Sequence, residues 1–512
     1  MSRRTSAAVA VAAAIASLAG ATGATAATPI DSSALREAVT VSGVRAHQSA
    51  LQKIANRNDG HREASSTGYT QSADYVAGKL SAAGYRVTRQ PFGYDYFEEL
   101  APASVTSPDA GFPFTYTPNV DIATMTYSGN GSVTGVVQFV TPTVPLPVGA
   151  PDSSTHDGCE AADFAGFTGD IALIQRGTCE FQQKIRLAKE AGADAVIIFN
   201  EGNSPERSGV GFGQASFPQT VPVVEMSAQE GADLVTYLRS HTGVRLTVTT
   251  STISEPRTSE NVIADGTTGR TDRVVVSGAH LDSVAEGPGI NDNGSGTGAQ
   301  LETALQMAKL GIKPRNQTRF MFFGAEEAGL VGSTFYVNTL PTSQRKNIHV
   351  MLNFDMVGSP NPAWFVYDGD ASDTASTGST GSGVVESVFV DFFDSIGRLT
   401  EPTAFDGRSD YDAFVAAGIP AGGLFTGAED LKTADQVIKW GGTAGLAFDP
   451  CYHSACDTIN NVSLTALDEM SDAVAHGVLT FAQTTSAVQG TDKGSDSSTK
   501  YDPDYRGSKA IR

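Results

Sequence analysis

In the stretch RFMFFGAEEAGLVGS, residues 319–333, a run of apolar side chains stops at Gly324 and two adjacent glutamates follow, Glu326 and Glu327. Neighbouring carboxylates repel each other and resist burial. They either sit in a solvated strand-to-helix loop, helping a helix N-terminus, or they face a cation. Other polar residues occupy matching places. His280 and Asp282 follow the run VVVSG, Asp292 lies in the glycine-rich GPGINDNGSGTG, Asp355 follows VMLNF, and His453 lies in CYHSACDT. Singly, each has an ordinary reading: a lone histidine is more often structural than a ligand, and Asp and Asn tolerate turns. Together, two histidines and several carboxylates at the ends of successive apolar runs point to a metal centre. Nitrogen and oxygen donors without thiolate suit zinc, and also accept cobalt or manganese. Two histidines and three carboxylates exceed what one four-coordinate zinc with an open position takes. They fit two metals sharing a bridging carboxylate.

The apolar segments RVVVSGAHLDS, RFMFFGAEE and IHVMLNFDMVG read as strands, and SGTGAQLETALQMAKLG between the first two as a helix. Such alternation implies a mostly parallel mixed sheet flanked by helices, an α/β fold, and ligands bind at the carboxyl ends of its strands. Residues 30–95 read as helices, a stop at Gly84 and then a strand. Residues 100–150, rich in Pro, Thr, Gly and Val, predict short strands and turns. Residues 131–252 read as a separate, smaller α+β and β-rich unit. Its strands are SVTGVVQFV, GDIALIQRG, DAVIIFN and VPVVEM, and FQQKIRLAKEAGA is an amphipathic helix ending at Gly192. The tail from 486 to 512 is polar, lacks apolar periodicity and reads as disordered.

The chain's 512 residues are too many for one small core, and 40% hydrophobic with 18% charged residues suits a globular protein. A net charge of −21 disfavours nucleic acid and anionic membranes as partners. Arg3 and Arg4, an Ala/Val/Ile/Leu-rich run to Leu18 and the small residues Ala24-Thr25-Ala26 form a secretory signal over 1–26. A membrane anchor is the alternative, but the run is short for a span. Secretion implies an oxidising compartment, so the four cysteines are expected in disulfides. Of three connectivities, the local pairs Cys159–Cys179 and Cys451–Cys456 close the shortest loops at the least entropic cost.

AHLDS, GINDNGSGTG, FFGAEEAGLVGS, NFDMVG and YHSACDT resemble, in order, the motifs of the secreted di-zinc aminopeptidases of metallopeptidase family 28. The resemblance implies a zinc peptidase domain over 30–130 and 253–485, with a protease-associated domain inserted at 131–252. It implies that His280 and Asp355 hold one zinc, Glu327 and His453 the other, and that Asp292 bridges them. Asp282 would orient His280, Glu326 would be the general base, and Tyr452 would donate to the tetrahedral oxyanion. Arg408, in DGRSDY, would line the substrate site, and Phe425 would help form an apolar pocket for a large N-terminal residue such as leucine. The peptide bond after Asp292 would be cis. Asp468 and Asp472, spaced i, i+4 on one helix face, match a pair that some secreted members give to calcium. The third acid of that site is absent here, which leaves calcium open. The implied protein is a secreted monomer acting on peptide or protein N-termini. Two rivals share the fold: a carboxypeptidase, which needs a cationic pocket, and a receptor-like binding protein, which would have lost the ligands. No G-x-S-x-G or H-E-x-x-H occurs, which disfavours a serine hydrolase and excludes a thermolysin-like mechanism.

Overall fold

The computed structural model describes residues 30–151, 154–211, 213–374 and 378–484. The signal segment 1–26 and the tail 486–512 lie outside them. Thirteen strands form among the described residues: β1 Arg86–Thr106, β2 Ile122–Thr124, β3 Gly131–Phe139, β4 Ile171–Gln175, β5 Ala195–Phe199, β6 Val223–Met226, β7 Arg245–Asp265, β8 Arg270–His280, β9 Asn316–Phe323, β10 Ile348–Phe354, β11 Phe365–Tyr367, β12 Glu401–Thr403 and β13 Ala421–Phe425. Their order is β12-β11-β13-β10-β8-β9-β7-β3-β4-β5-β6-β2, with β1 on β7. The mixed α/β sheet expected from the apolar runs is present.

At its centre β9, β8, β10 and β13 run parallel. Their residues are apolar on both faces because both faces are covered. In β9, Phe320 and Phe322 join a core with Phe354 of β10 and with Leu51, Leu301 and Phe389 from one helical layer. Met321 and Phe323, alternating with them, pack on Tyr336 and Phe414 from the other. Neither face can turn polar, so polar side chains collect where the strands stop. The β8–β9 register pairs His280 with Phe323, and that of β10–β13 pairs Phe354 with Leu424. The four strands therefore end together.

The second unit has its own layers. β3, β4, β5 and β6 are parallel, β2 is antiparallel to β6, and the helices Phe181–Glu190 and Ala228–Leu238 accompany them. What joins the units departs from the sequence expectation. Short strands were expected after residue 100, yet β1 and β7 are each 21 residues long. They pair antiparallel from Arg86↔Asp265 to Thr106↔Thr247. β7 pairs with β9 near its end and with β3 near its start, so it runs unbroken across the expected boundary at 252–253. Pro91, Gly93 and Pro102 mask β1 in the sequence because they are poor strand residues. The ladder accommodates Pro102 beside register shifts at Glu99/Ala101 and Ala101/Ser104.

Candidate metal and catalytic centre

His280 ends β8, Glu326 and Glu327 follow β9, Asp355 follows β10, and Phe425 ends β13. Asp292 arrives at the head of the Gly294–Lys309 helix, whose Asn293 cap accepts from the Gly296 N–H at 2.9 Å. The Asn293 amide also donates to Phe354 O at 2.9 Å, tying this loop to the end of β10. The Asp292–Asn293 peptide bond is cis, as the resemblance implied. Gly324 permits the turn after β9, because a Cβ there would strike Tyr69 Oη and Glu260 O. The next residue, Ala325, has φ 54°. His453 comes from the Cys451–Cys456 loop, also at positive φ, 51°.

The donor atoms of His280, Asp292, Glu326, Glu327, Asp355 and His453 converge. His280 Nε2 lies 3.1 Å from Asp292 Oδ1 and 3.3 Å from Asp355 Oδ1. His453 Nε2 lies 3.2 Å from Asp292 Oδ2 and 3.0 Å from Glu327 Oε2. The two oxygens of Asp292 thus face different histidines. Donor atoms of His280, Asp292 and Glu327, and those of His280, Glu326 and Asp355, form groups within 4.8 Å. His280 Nδ1 lies 3.7 Å from Asp282 Oδ1, beyond hydrogen-bond length. Asp282 also accepts from the backbone N–H groups of Glu326 and Glu327, each at 3.3 Å.

The electrostatics call for cations. Burial pushes the Glu326 carboxyl well above its ordinary range, against the pull of His280 and with Glu327 and Asp355 adding to the rise. Burial takes Glu327 up to about 7 against the pull of His453. Burial would also raise Asp292, but hydrogen bonds with His280 and His453 hold it below the usual carboxylate range. Burial should lower both imidazoles, yet Asp355 and Glu326 raise His280 well above its ordinary value, and Glu327 and Asp292 take His453 to about 11. A buried cluster that draws protons onto its histidines has excess negative charge. Asp355 Oδ1 and Glu327 Oε1 are buried without a hydrogen-bond partner. Nitrogen and oxygen donors with unfilled lone pairs fit zinc.

A cleft opens over these residues, lined beyond them by Met356, Tyr367, Arg408, Phe425 and Tyr452. Tyr452 stacks on His453 with ring centroids 3.7 Å apart. Arg408 Nη2 donates to Tyr452 Oη at 3.4 Å and pairs with Glu429 at 2.8 Å. Asp468 and Asp472 lie on the Leu464–Gln483 helix, and the Asp472 carboxylate meets Arg36 at 3.3 Å.

Several supporting residues escaped the sequence reading. Ser409 Oγ donates to Asp355 Oδ2 at 2.6 Å. Asp457 accepts from the backbone N–H groups of Asn291 and Asp292 at 2.8 and 3.0 Å, and Asp449 accepts from the Asn291 amide at 2.7 Å. Arg62, fully buried, donates to the carbonyls of Leu281, Pro288 and Gly289. Ser409 adjoins Arg408, and Asp449 and Asp457 flank the second cysteine pair, so proximity in sequence was the available signal. Arg62 carries no such mark.

Both expected disulfides are present, Cys159–Cys179 and Cys451–Cys456. The second brackets Tyr452 and His453. Replacing Cys451 and Cys456 together by serine is expected to lower stability by about 2 kcal/mol, from the chain entropy of so short a loop. Turnover should fall with it. Urea unfolding and initial rates measure the two effects, and unchanged values of both would show that the loop holds itself.

Residues 261–478 match the family described as Peptidase family M28, and residues 141–234 the one described as PA domain. An aminopeptidase of Pseudomonas aeruginosa is 45% identical over 445 residues, covering 86% of this chain and 81% of that protein. A probable leucine aminopeptidase 2 of Aspergillus fumigatus is 40% identical over 369 residues, covering 72% and 70%. A solved aminopeptidase from Aneurinibacillus sp. strain AM-1 superposes with a TM-score of 0.62 at 26% identity, over 90% of this chain and 99% of that one.

Proposed function

This chain belongs to peptidase family M28 and is a zinc-dependent aminopeptidase with a PA domain, and from that premise we propose that it cleaves large hydrophobic N-terminal residues from peptides at a two-zinc centre. His280 and Asp355 would hold one ion, Glu327 and His453 the other, and Asp292 would be shared. The observation that carries this reading is the division of the Asp292 carboxylate, one oxygen toward each histidine. Bound there, the metal supplies Lewis-acid polarisation of a water and of the scissile carbonyl.

The chain's own residues do the rest. Glu326, buried but open to the cleft, takes a proton from the attacking water at its carboxylate. It returns that proton to the leaving amine. Tyr452 Oη donates to the developing oxyanion, held by its stack on His453 and by Arg408. Asp282, held by the Glu326 and Glu327 backbone N–H groups 3.7 Å behind His280 Nδ1, would orient that imidazole through its charge. Met356, Tyr367 and Phe425 wall the cleft with apolar surface that suits a side chain such as leucine.

The same cleft argues against a carboxypeptidase. Arg408 is the one Lys or Arg among its described lining residues, and its charge is already met by Glu429. A receptor-like role is disfavoured by the retained donors and by Glu326. Calcium at Asp468 and Asp472 is left out of the proposal, because Arg36 already supplies a cation to Asp472. We place the protein outside the cell as a monomer. The N-terminal pattern and two disulfides support secretion, and no described helix is long and apolar enough to cross a membrane. The domain limits proposed are those read from the sequence, 30–130 with 253–485 and 131–252, with β2 joining the sheet of the second unit and the β1–β7 ribbon shared by both. A panel of aminoacyl p-nitroanilides tests the reading. Leucyl p-nitroanilide should be cleaved fastest and its N-acetyl form not at all. Equal cleavage of the blocked form, or release of residues from peptide carboxyl ends, would refute it.

A further inference from the structure

A second cleft meets the first at Glu327, which lines both. Its walls come from three parts of the chain. β1 supplies Tyr96, Glu98 and Glu99, the loop after β8 supplies Glu286, and Thr126 belongs to the segment that follows β2 at the edge of the PA unit. Thr126 is bridged to Gln214 of that unit. Glu63 lines the floor, where Arg257 lies 3.6 Å from it and stacks on the Tyr96 ring. No Lys, Arg or His is among the described residues lining this cleft.

The two clefts have unlike chemistry. The first ends against Met356, Tyr367 and Phe425 and holds most of the donor cluster. The second is acidic and opens beside the PA unit. With an N-terminal side chain in the first cleft and the scissile carbonyl at the donor cluster, the remaining peptide continues past Glu327 into the second. Glu98 accepts one neutral hydrogen bond, from Tyr96 Oη at 2.8 Å, and Glu286 is exposed. No cationic side chain among the described residues pairs with either. A Lys or Arg side chain just beyond the scissile bond would find there the counter-charge that the chain leaves unused.

We propose that the leaving side of the peptide lies in this second cleft, and that Glu98 and Glu286 select substrates with a cationic side chain in the first positions after the scissile bond. The proposal rests on the aminopeptidase reading above and adds a specificity that the N-terminal residue does not set. Charges at this exposure act through partly screened solvent, so each contributes modestly and less as salt rises.

The test compares kcat/KM for Leu-Lys-Ala, Leu-Ala-Ala and Leu-Glu-Ala at low and high ionic strength. It uses the full enzyme and the Glu98→Gln/Glu286→Gln double variant, with leucyl p-nitroanilide as a substrate lacking a leaving-side chain. At low salt Leu-Lys-Ala is expected to exceed Leu-Glu-Ala by about tenfold, the combined effect of two screened pairs. The ratio should shrink toward one in 0.5 M salt, a concentration at which the Debye length is about 4 Å, and in the double variant. Leucyl p-nitroanilide turnover should be the same in both proteins, which reports that the variant is folded. A ratio of one in the wild type, or a preference that survives the double substitution, overturns the proposal. Failure to cleave leucyl p-nitroanilide at all would instead overturn the reading on which it rests.

Discussion

Glu326→Gln is expected to cut kcat by ~10²–10⁴-fold, the usual worth of a positioned general base, while metal content stays at the wild-type value. Glu327→Gln is expected to lose metal. The two residues are adjacent in sequence, but the turn after β9 sends them to different work. Glu327 Oε2 lies 3.0 Å from His453 Nε2, whereas Glu326 lines the same cleft and shares a donor group with His280 and Asp355 without an ion pair to either imidazole among the described residues. Glutamine keeps the size and one acceptor of Glu326 and removes only its ability to take a proton. If KM also stays constant, the lost interaction belongs to the transition state. Metal analysis beside steady-state kinetics decides the matter. Equal metal loss in both variants would mean that the division of roles is wrong.

Chelation is expected to abolish turnover and to destabilise the fold by ~4 kcal/mol relative to protein in metal at a thousand times Kd. Re-addition of zinc should restore activity at two equivalents per chain. The physical cause is the burial of Asp292, Glu326, Glu327 and Asp355, each less than about a tenth exposed or only slightly more. Stripped of cations, these groups must take up protons or repel one another. The protons that His280 and His453 then hold compete with metal, so affinity should fall as pH is lowered. Calorimetry and a zinc titration measure both effects. Full activity in chelator, or saturation at one equivalent, would reject the two-metal centre.

Much of this centre was legible before any fold was known. A strand buried on both faces can place polar side chains only at its ends, so VVVSGAH, FMFFGAEE and VMLNFD each announce both a strand and the donor that follows it. Residue chemistry limited the metal, and the short spacing of Cys451 and Cys456 limited the disulfide around His453. Those signals are local, carried by periodicity, composition and loop length, and chain order alone expresses them.

The rest depends on groups that meet only when distant segments close on one another. The motif resemblance implied that Asp292 is shared, but spacing and composition hold no mark of which of its oxygens faces His280 and which His453. Ser409 and Asp457 look like ordinary loop residues until β10 and the cysteine loop bring them to Asp355 and Asp292. The β1–β7 ribbon was hidden by Pro91 and Pro102, whose local preference is against a strand, and long-range pairing with β7 overrode it. The acidic cleft exists only because that ribbon carries Glu98 past the end of β9 and brings the PA unit alongside. Local propensity thus determined which residues would do chemistry and at which strand ends. Tertiary closure decided which atoms face each other and where a substrate's remaining chain can run, because those distances are set by packing between segments far apart in the chain.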